Sequence, residues 1–123
     1  MSRLLIATAV IEVGAGLFLL VAPLEFARLL FGVSLDNAAT LTVARIAGAG
    51  LFTLGVAAWF ATIDAASNAA RGFIRAMVLY NCAAAIILAA ATFQPASHSK
   101  VLWSGVAIHG SMAAWCIAQL LKK

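Results

Sequence analysis

Five residues of this chain have side chains that can do chemistry where they stand: Glu12, Arg45, Tyr80, Asn81 and His109. Each lies inside a long apolar stretch, with Tyr80 and Asn81 sharing one. A polar group in hydrocarbon costs several kcal/mol unless it finds a partner. Polar groups placed one stretch after another therefore imply a common buried site. Burial disfavours the charged form of a carboxyl, and a nearby guanidinium favours it. A glutamate balanced between the two can exchange protons near neutrality, and so can His109. The Tyr80 hydroxyl and the Asn81 amide suit the carbonyl oxygens of a quinone-like head group. Phe52, Met112 and alanine-rich walls would hold its apolar body.

The elements that must position these groups follow from the apolar runs. The first span is expected at residues 4–22, stopped by Pro23, which lacks the N–H that the next turn would use. Residues 24–31 form a short apolar piece with Glu25 and Arg28 one turn apart. It ends at Gly32, a left-handed cap, and is read as an interfacial helix or a bent extension of the first span. Ser34, Asp36 and Asn37 offer caps for a second span at 38–62. A polar link with Asp64, Ser67, Asn68 and Arg71 precedes a third span at 73–93. Residues 94–100 make a turn, and a fourth span covers 101–121. Each run approaches the roughly twenty residues that cross about 30 Å of hydrocarbon as a helix. Helices are required because backbone groups in lipid must be satisfied within the segment. No run alternates apolar and polar residues as a barrel strand does. The expected fold is all-α: a four-transmembrane-helix bundle forming a single integral membrane domain over 1–123.

Depth and face tell which groups can meet. At about 1.5 Å per residue, Glu12 and Asn81 lie roughly 12 Å from one end of their spans. His109 lies roughly 12 Å, and Arg45 roughly 8 Å, from the other end. An arginine can bridge the offset to Glu12, so these two are expected to pair. Residues three and four apart share a helix face. That groups Thr8, Glu12 and Gly16; Arg45, Gly48, Phe52, Gly55 and Trp59; Met77, Asn81, Ala84 and Leu88; and Gly105, His109, Met112, Cys116 and Gln119. The run Gly14-Ala15-Gly16-Leu17-Phe18 recurs as Gly48-Ala49-Gly50-Leu51-Phe52. Small residues at such places let two backbones approach closely. Two readings of the polar group stand side by side. One is an interhelical lock with no turnover, and the other is a proton or ligand site.

Composition sets the class. The chain has 123 residues, 65% of them hydrophobic and only 10% charged, with mean hydropathy +1.08. A soluble domain of this size cannot hide so much apolar surface. The net charge of +4 comes from cations at segment ends, which mark membrane orientation and not a nucleic-acid face. Arg3, Arg71, Arg75, Lys122 and Lys123 fall on one side, Arg28 and Lys100 on the other. Both termini are then expected in the cytoplasm. Trp59, Phe60 and Phe73 on that side, and Phe93 and Trp103 on the other, would form aromatic belts. The first run is not expected to be a cleaved signal, because it is too long and contains Glu12. Cys82 and Cys116 have no metal spacing and are expected to be buried free thiols. One histidine inside a span does not make a haem site within one chain, and His98 is expected in a solvated loop. No Ser-His-Asp grouping, phosphate loop or zinc spacing is present.

The segments GAGLFLLVAPLEFARLLFG, ARIAGAGLFTLGVAAW, RAMVLYNCAAAIILAAATF and LWSGVAIHGSMAAW, in that order, resemble the DoxX-like small four-helix bacterial membrane proteins. The resemblance covers nearly the whole chain and rests on loose motifs. It implies an inner-membrane accessory subunit, since some relatives are linked to quinone-dependent respiratory or sulfur-oxidising assemblies. A narrower resemblance joins AVIEVGAGLFLL to the first helix of small multidrug-resistance exporters, whose embedded glutamate drives proton-coupled antiport. Glu12 matches that position, whereas Arg45 beside it would neutralise the carboxylate. The expected function is therefore an accessory or structural membrane subunit, more consistent with a non-enzyme, with no catalytic residue and no metal. Its ligand would be a quinone or another lipophilic molecule. Its partners would be the bilayer, other membrane subunits or a second copy, and no nucleic acid. The alternative is a proton-coupled small-molecule transporter using Glu12.

Overall fold

Lipid-compatible helices account for most of the computed structural model, which describes residues 1–34, 37–94 and 99–122. The helices are α1 (Ser2–Val21), α2 (Pro23–Phe31), α3 (Ala38–Ala61), α4 (Asn68–Ala91) and α5 (Val101–Leu121). Among the described residues there is no strand. All but α2 are long and apolar enough to cross a membrane, so the molecule is a multi-pass, all-helical membrane protein. Its outward face is mainly apolar along the spans: Val10, Ile46, Leu79 and Ile86 are all exposed, as suits surfaces facing acyl chains. Trp59, Phe60, Phe93 and Trp103 stand exposed near helix ends.

Local signals set the boundaries. Val21 closes α1, Ala22 leaves helical geometry, and Pro23 opens α2, where its missing N–H is harmless. Gly32 ends α2 at φ +73°, the left-handed cap expected of it. Asn37 caps α3, its side chain accepting from the Thr40 N–H at 2.8 Å. Asp36, residues 95–98 of the expected turn (His98 among them) and Lys123 lie outside the described residues. α4 begins five residues before the expected third span. Ser67 caps it, accepting from the Ala70 N–H at 3.1 Å, and the polar stretch expected to be a link becomes its first turn.

The helices associate as two hairpin-like pairs, α1 with α3 and α4 with α5. Glycine makes the first pair tight. A Cβ on Gly16 would collide with the backbone of Phe52 and Gly48. One on Gly48 would lie 2.8 Å from the Leu20 nitrogen, and one on Gly55 2.6 Å from the Val13 nitrogen. The two pairs close against each other most fully at the end where α1 starts and α5 finishes. Leu4 and Leu5 of α1, Ala70, Ile74 and Met77 of α4, and Met112 and Cys116 of α5 form one buried cluster there. Arg71 donates to the Leu120 carbonyl at 3.2 Å, capping α5 from α4. The Met1 amino group donates to Gln119 Oε1 at 3.0 Å. At the opposite end α2 packs across the bundle. Ala27 is buried, Ser99 Oγ donates to the Leu29 carbonyl at 3.0 Å, and Phe26 meets Phe18 edge-to-face. Cys116 is buried as expected, whereas Cys82 lies on the exposed side of α4. Both are free thiols.

The glycine contacts give a test with opposite signs at neighbouring positions. Gly16→Ala should destabilise the fold by about 1–3 kcal/mol through overpacking. Gly14→Ala, at a position with open space around the added carbon, should be neutral or stabilising, since alanine is the better helix former by about 1 kcal/mol. Thermal unfolding in detergent micelles measures both.

Candidate functional site

Four of the five expected site residues converge between the two helix pairs. Glu12, on the same face of α1 as Thr8 and Gly16, is 3% exposed, and Thr8 is 2% exposed. The Tyr80 hydroxyl from α4 neighbours the Glu12 carboxyl, near enough for the two to interact. Asn81, the next residue of α4, is 1% exposed and turns toward α5. Its Nδ2 donates to the Met77 carbonyl at 2.8 Å, one turn back in the same helix. Its Oδ1 lies 2.9 Å from His109 Nδ1. The rings of Tyr80 and His109 meet edge-to-face at 5.7 Å between centroids, closing the group.

The amide fixes the imidazole. An asparagine oxygen can only accept, and its nitrogen can only donate. With Nδ2 committed to the Met77 carbonyl, Oδ1 faces the ring, so His109 Nδ1 carries the hydrogen and donates. This network assigns the tautomer. The neutral ring then keeps its lone pair on Nε2, which has no partner among the described residues. Every fully buried side-chain nitrogen or oxygen among the described residues is hydrogen-bonded. The Nε2 acceptor is therefore not sealed in the bundle. His109 itself is half-buried.

Arg45 does not join the site, contrary to expectation. It is exposed on α3, and the partner of Glu12 is Tyr80. The reason is register. Gly48 packs on Gly16, Leu19 and Leu20, while Gly55 packs on Ala9 and Val13. Antiparallel helices docked this way set Leu54 level with Glu12 and Arg45 level with Val21. The separation along the axis is roughly 13 Å at about 1.5 Å per residue, beyond the joint reach of the two side chains. The stripe Gly48, Phe52 and Gly55 does face α1 as its spacing implied, and Arg45 lies past the end of that contact. Leu54 of α3 and Tyr80 of α4 instead share a groove of about 880 Å³, with Ile46, Ala49, Gly50, Leu51 and Thr53 along its wall. The groove opens on the bundle surface between α3 and α4, and Tyr80 is its polar contact with the interior.

The arrangement can bind hydrogen-bonding groups and can pass a proton between neighbouring groups. The phenol and carboxyl sit on one side, and the imidazole and amide on the other. Among the described residues no three His, Cys, Asp or Glu side chains gather as a metal site. The sequence reasoning missed how Tyr80 acts: it is the direct partner of Glu12, not an accessory to Asn81. Its place next to Asn81 was the available signal, since successive helix residues point toward different neighbours. Comparison with protein-family models, with curated proteins and with solved structures finds no match.

The contacts predict a specific pattern of coupling. Glu12→Gln and Tyr80→Phe should be non-additive by about 1 kcal/mol, within the range of polar contacts between membrane helices. Glu12→Gln and Arg45→Gln should add to within about 0.5 kcal/mol, as separated residues do. Denaturant unfolding of the single and double variants in micelles decides between this pattern and a Glu12–Arg45 pair.

Proposed function

We propose that this chain is a small accessory subunit of a membrane assembly that holds the polar head of a lipophilic ligand beside Tyr80, Glu12 and His109. A single observation carries the reading: a lipid-facing apolar groove between α3 and α4 is lined by Tyr80, which neighbours the buried Glu12 carboxyl. Such a site combines apolar walls with a few convergent polar groups. A molecule with a long apolar body and carbonyl oxygens fits it, and the quinone class has both. The tail would lie along Ile46, Gly50 and Leu54. The head would accept a hydrogen bond from Tyr80, with His109 near enough to complete a polar surround. The resemblance to DoxX-like proteins supports the same class together with a bacterial inner-membrane setting, and the Lys and Arg bias supports cytoplasmic termini. The chain itself is assigned no catalytic step.

One observation favours a second reading, a proton-coupled exporter of small lipophilic molecules. One part of the case against it, Arg45 neutralising Glu12, falls away because Arg45 stands apart from Glu12, while His109 remains a departure from the exporter pattern. The carboxyl is then available to a proton or to a cationic substrate.

The two readings separate in one set of measurements. Protein purified from its membrane in mild detergent should retain an isoprenoid quinone, detected by extraction and mass spectrometry. Tyr80→Phe should lower the retained amount by about tenfold, as loss of a hydrogen bond in a desolvated site does. Purified protein without quinone, together with proton release on binding a lipophilic cation that Glu12→Gln abolishes, would transfer the assignment to the exporter.

A further inference from the structure

Where α1 and α4 start and α5 finishes, the bundle encloses a cavity of about 450 Å³. Arg71 of α4 and Lys122, just beyond α5, stand on its wall, with Ser2, Ala65 and Gln119 beside them. Among the described residues no Asp or Glu lines it. Asp64, next to Ala65 in sequence, lines a separate groove with Ser67 and Phe73. Lys122 is exposed and has no hydrogen bond or ion pair with a described residue. Two cations from different helices thus share one hollow without a counter-charge among the described residues.

The wall is arranged to donate. Arg71 is half-buried, and its Nη2 is anchored on the Leu120 carbonyl at 3.2 Å. A guanidinium has five N–H donors, so the anchored head keeps others for a second acceptor. Gln119 Oε1 accepts from the Met1 amino group at 3.0 Å, which leaves the amide nitrogen as the group it can offer. The helix ends at hand, two starts and one finish, partly offset each other, so the side chains set the sign of the cavity. Height points the same way. α1 has 20 residues, about 30 Å at about 1.5 Å per residue, which matches the thickness of the hydrocarbon core. Its first residue, Ser2, therefore stands at the level of the lipid phosphates.

We propose that this cavity binds a phosphate group, seated on the Arg71 guanidinium and the Lys122 ammonium, with the Gln119 amide as a further donor. Arginine matches phosphate oxygens through paired N–H bonds, and lysine adds a point charge. Such a wall favours a phosphate with net negative charge, as in the head group of an anionic phospholipid or in inorganic phosphate. A head group whose own ammonium cancels its phosphate gains less. The cavity wall shares no residue with the Glu12 cluster, so this site stands or falls independently of the ligand proposed above.

The test is thermal unfolding of the whole chain in nonionic detergent at constant ionic strength. The added probes are short-chain phosphatidylglycerol, phosphatidylcholine of the same chain length, and inorganic phosphate. A ligand of the folded state raises Tm with its concentration. Stabilisation by phosphatidylglycerol but not by inorganic phosphate identifies a lipid head group as the occupant. Stabilisation by inorganic phosphate identifies phosphate from solution. In either case Lys122→Glu should raise the half-maximal concentration by about tenfold or more, since it turns attraction into repulsion. Lys100→Glu makes the same change of charge on an exposed residue before α5, at the opposite end of the bundle. It should leave that concentration within about twofold of wild type. Circular dichroism before heating verifies that each variant is folded. The proposal is overturned if neither phosphate probe stabilises the chain beyond phosphatidylcholine. It is also overturned if the two charge reversals weaken the effect equally, because net charge alone then draws the anion.

Discussion

The close approach of α1 and α3 is the constraint from which the rest follows. Gly16, Gly48 and Gly55 bring the two backbones together where a methyl group would already collide. Water is not available to drive helices together in lipid, so tight van der Waals contact between small residues has to serve. A contact of this kind also permits only one register. It sets the height of Glu12 relative to every residue of α3, and thereby which side chains can reach the carboxyl. The second pair, α4 and α5, then has to supply the hydrogen-bond donor, because α3 offers only Leu54 and its neighbours at that depth.

The polar cluster is consistent with this division of labour. α1 contributes an acceptor, and α4 contributes both a donor to it and an amide turned the other way. Asn81 spends its nitrogen on its own helix, at the Met77 carbonyl, and so presents a defined oxygen to α5. A residue with both donor and acceptor groups can orient a neighbour in this way, whereas alanine there could not. The buried polar atoms are satisfied, and the groups left accessible, His109 Nε2 and the groove side of Tyr80, are those a ligand would need.

Much of the architecture was legible in the residues, for reasons that can be named. Apolar run length gave the four spans, Pro23 and Gly32 bounded α2, and Asn37 capped α3. Face periodicity correctly grouped Thr8 with Glu12 and Met77 with Asn81. Periodicity could not reveal the shift between one helix and the next, because a three-four stripe gives direction but no height. Depth counted from span ends carries errors of a turn, and a turn decided the fate of Arg45. The start of α4 was hidden by a polar first turn, which looks like a loop until Ser67 is seen to cap it. Cys82 was expected inside because cysteine is apolar, yet in lipid an apolar residue is equally at ease outside.

The order of synthesis gives the Glu12–Tyr80 contact a further consequence. The carboxyl belongs to α1, and its phenol partner to α4, two spans later in the chain. At about 5–20 residues added per second, α1 exists for several seconds before that partner is made. During this interval the nascent hairpin of α1 and α3 carries a bare acid at mid-depth. The polar cluster is therefore complete only once α4 is in place, and a chain ending before Tyr80 would hold an unmatched acidic group in lipid.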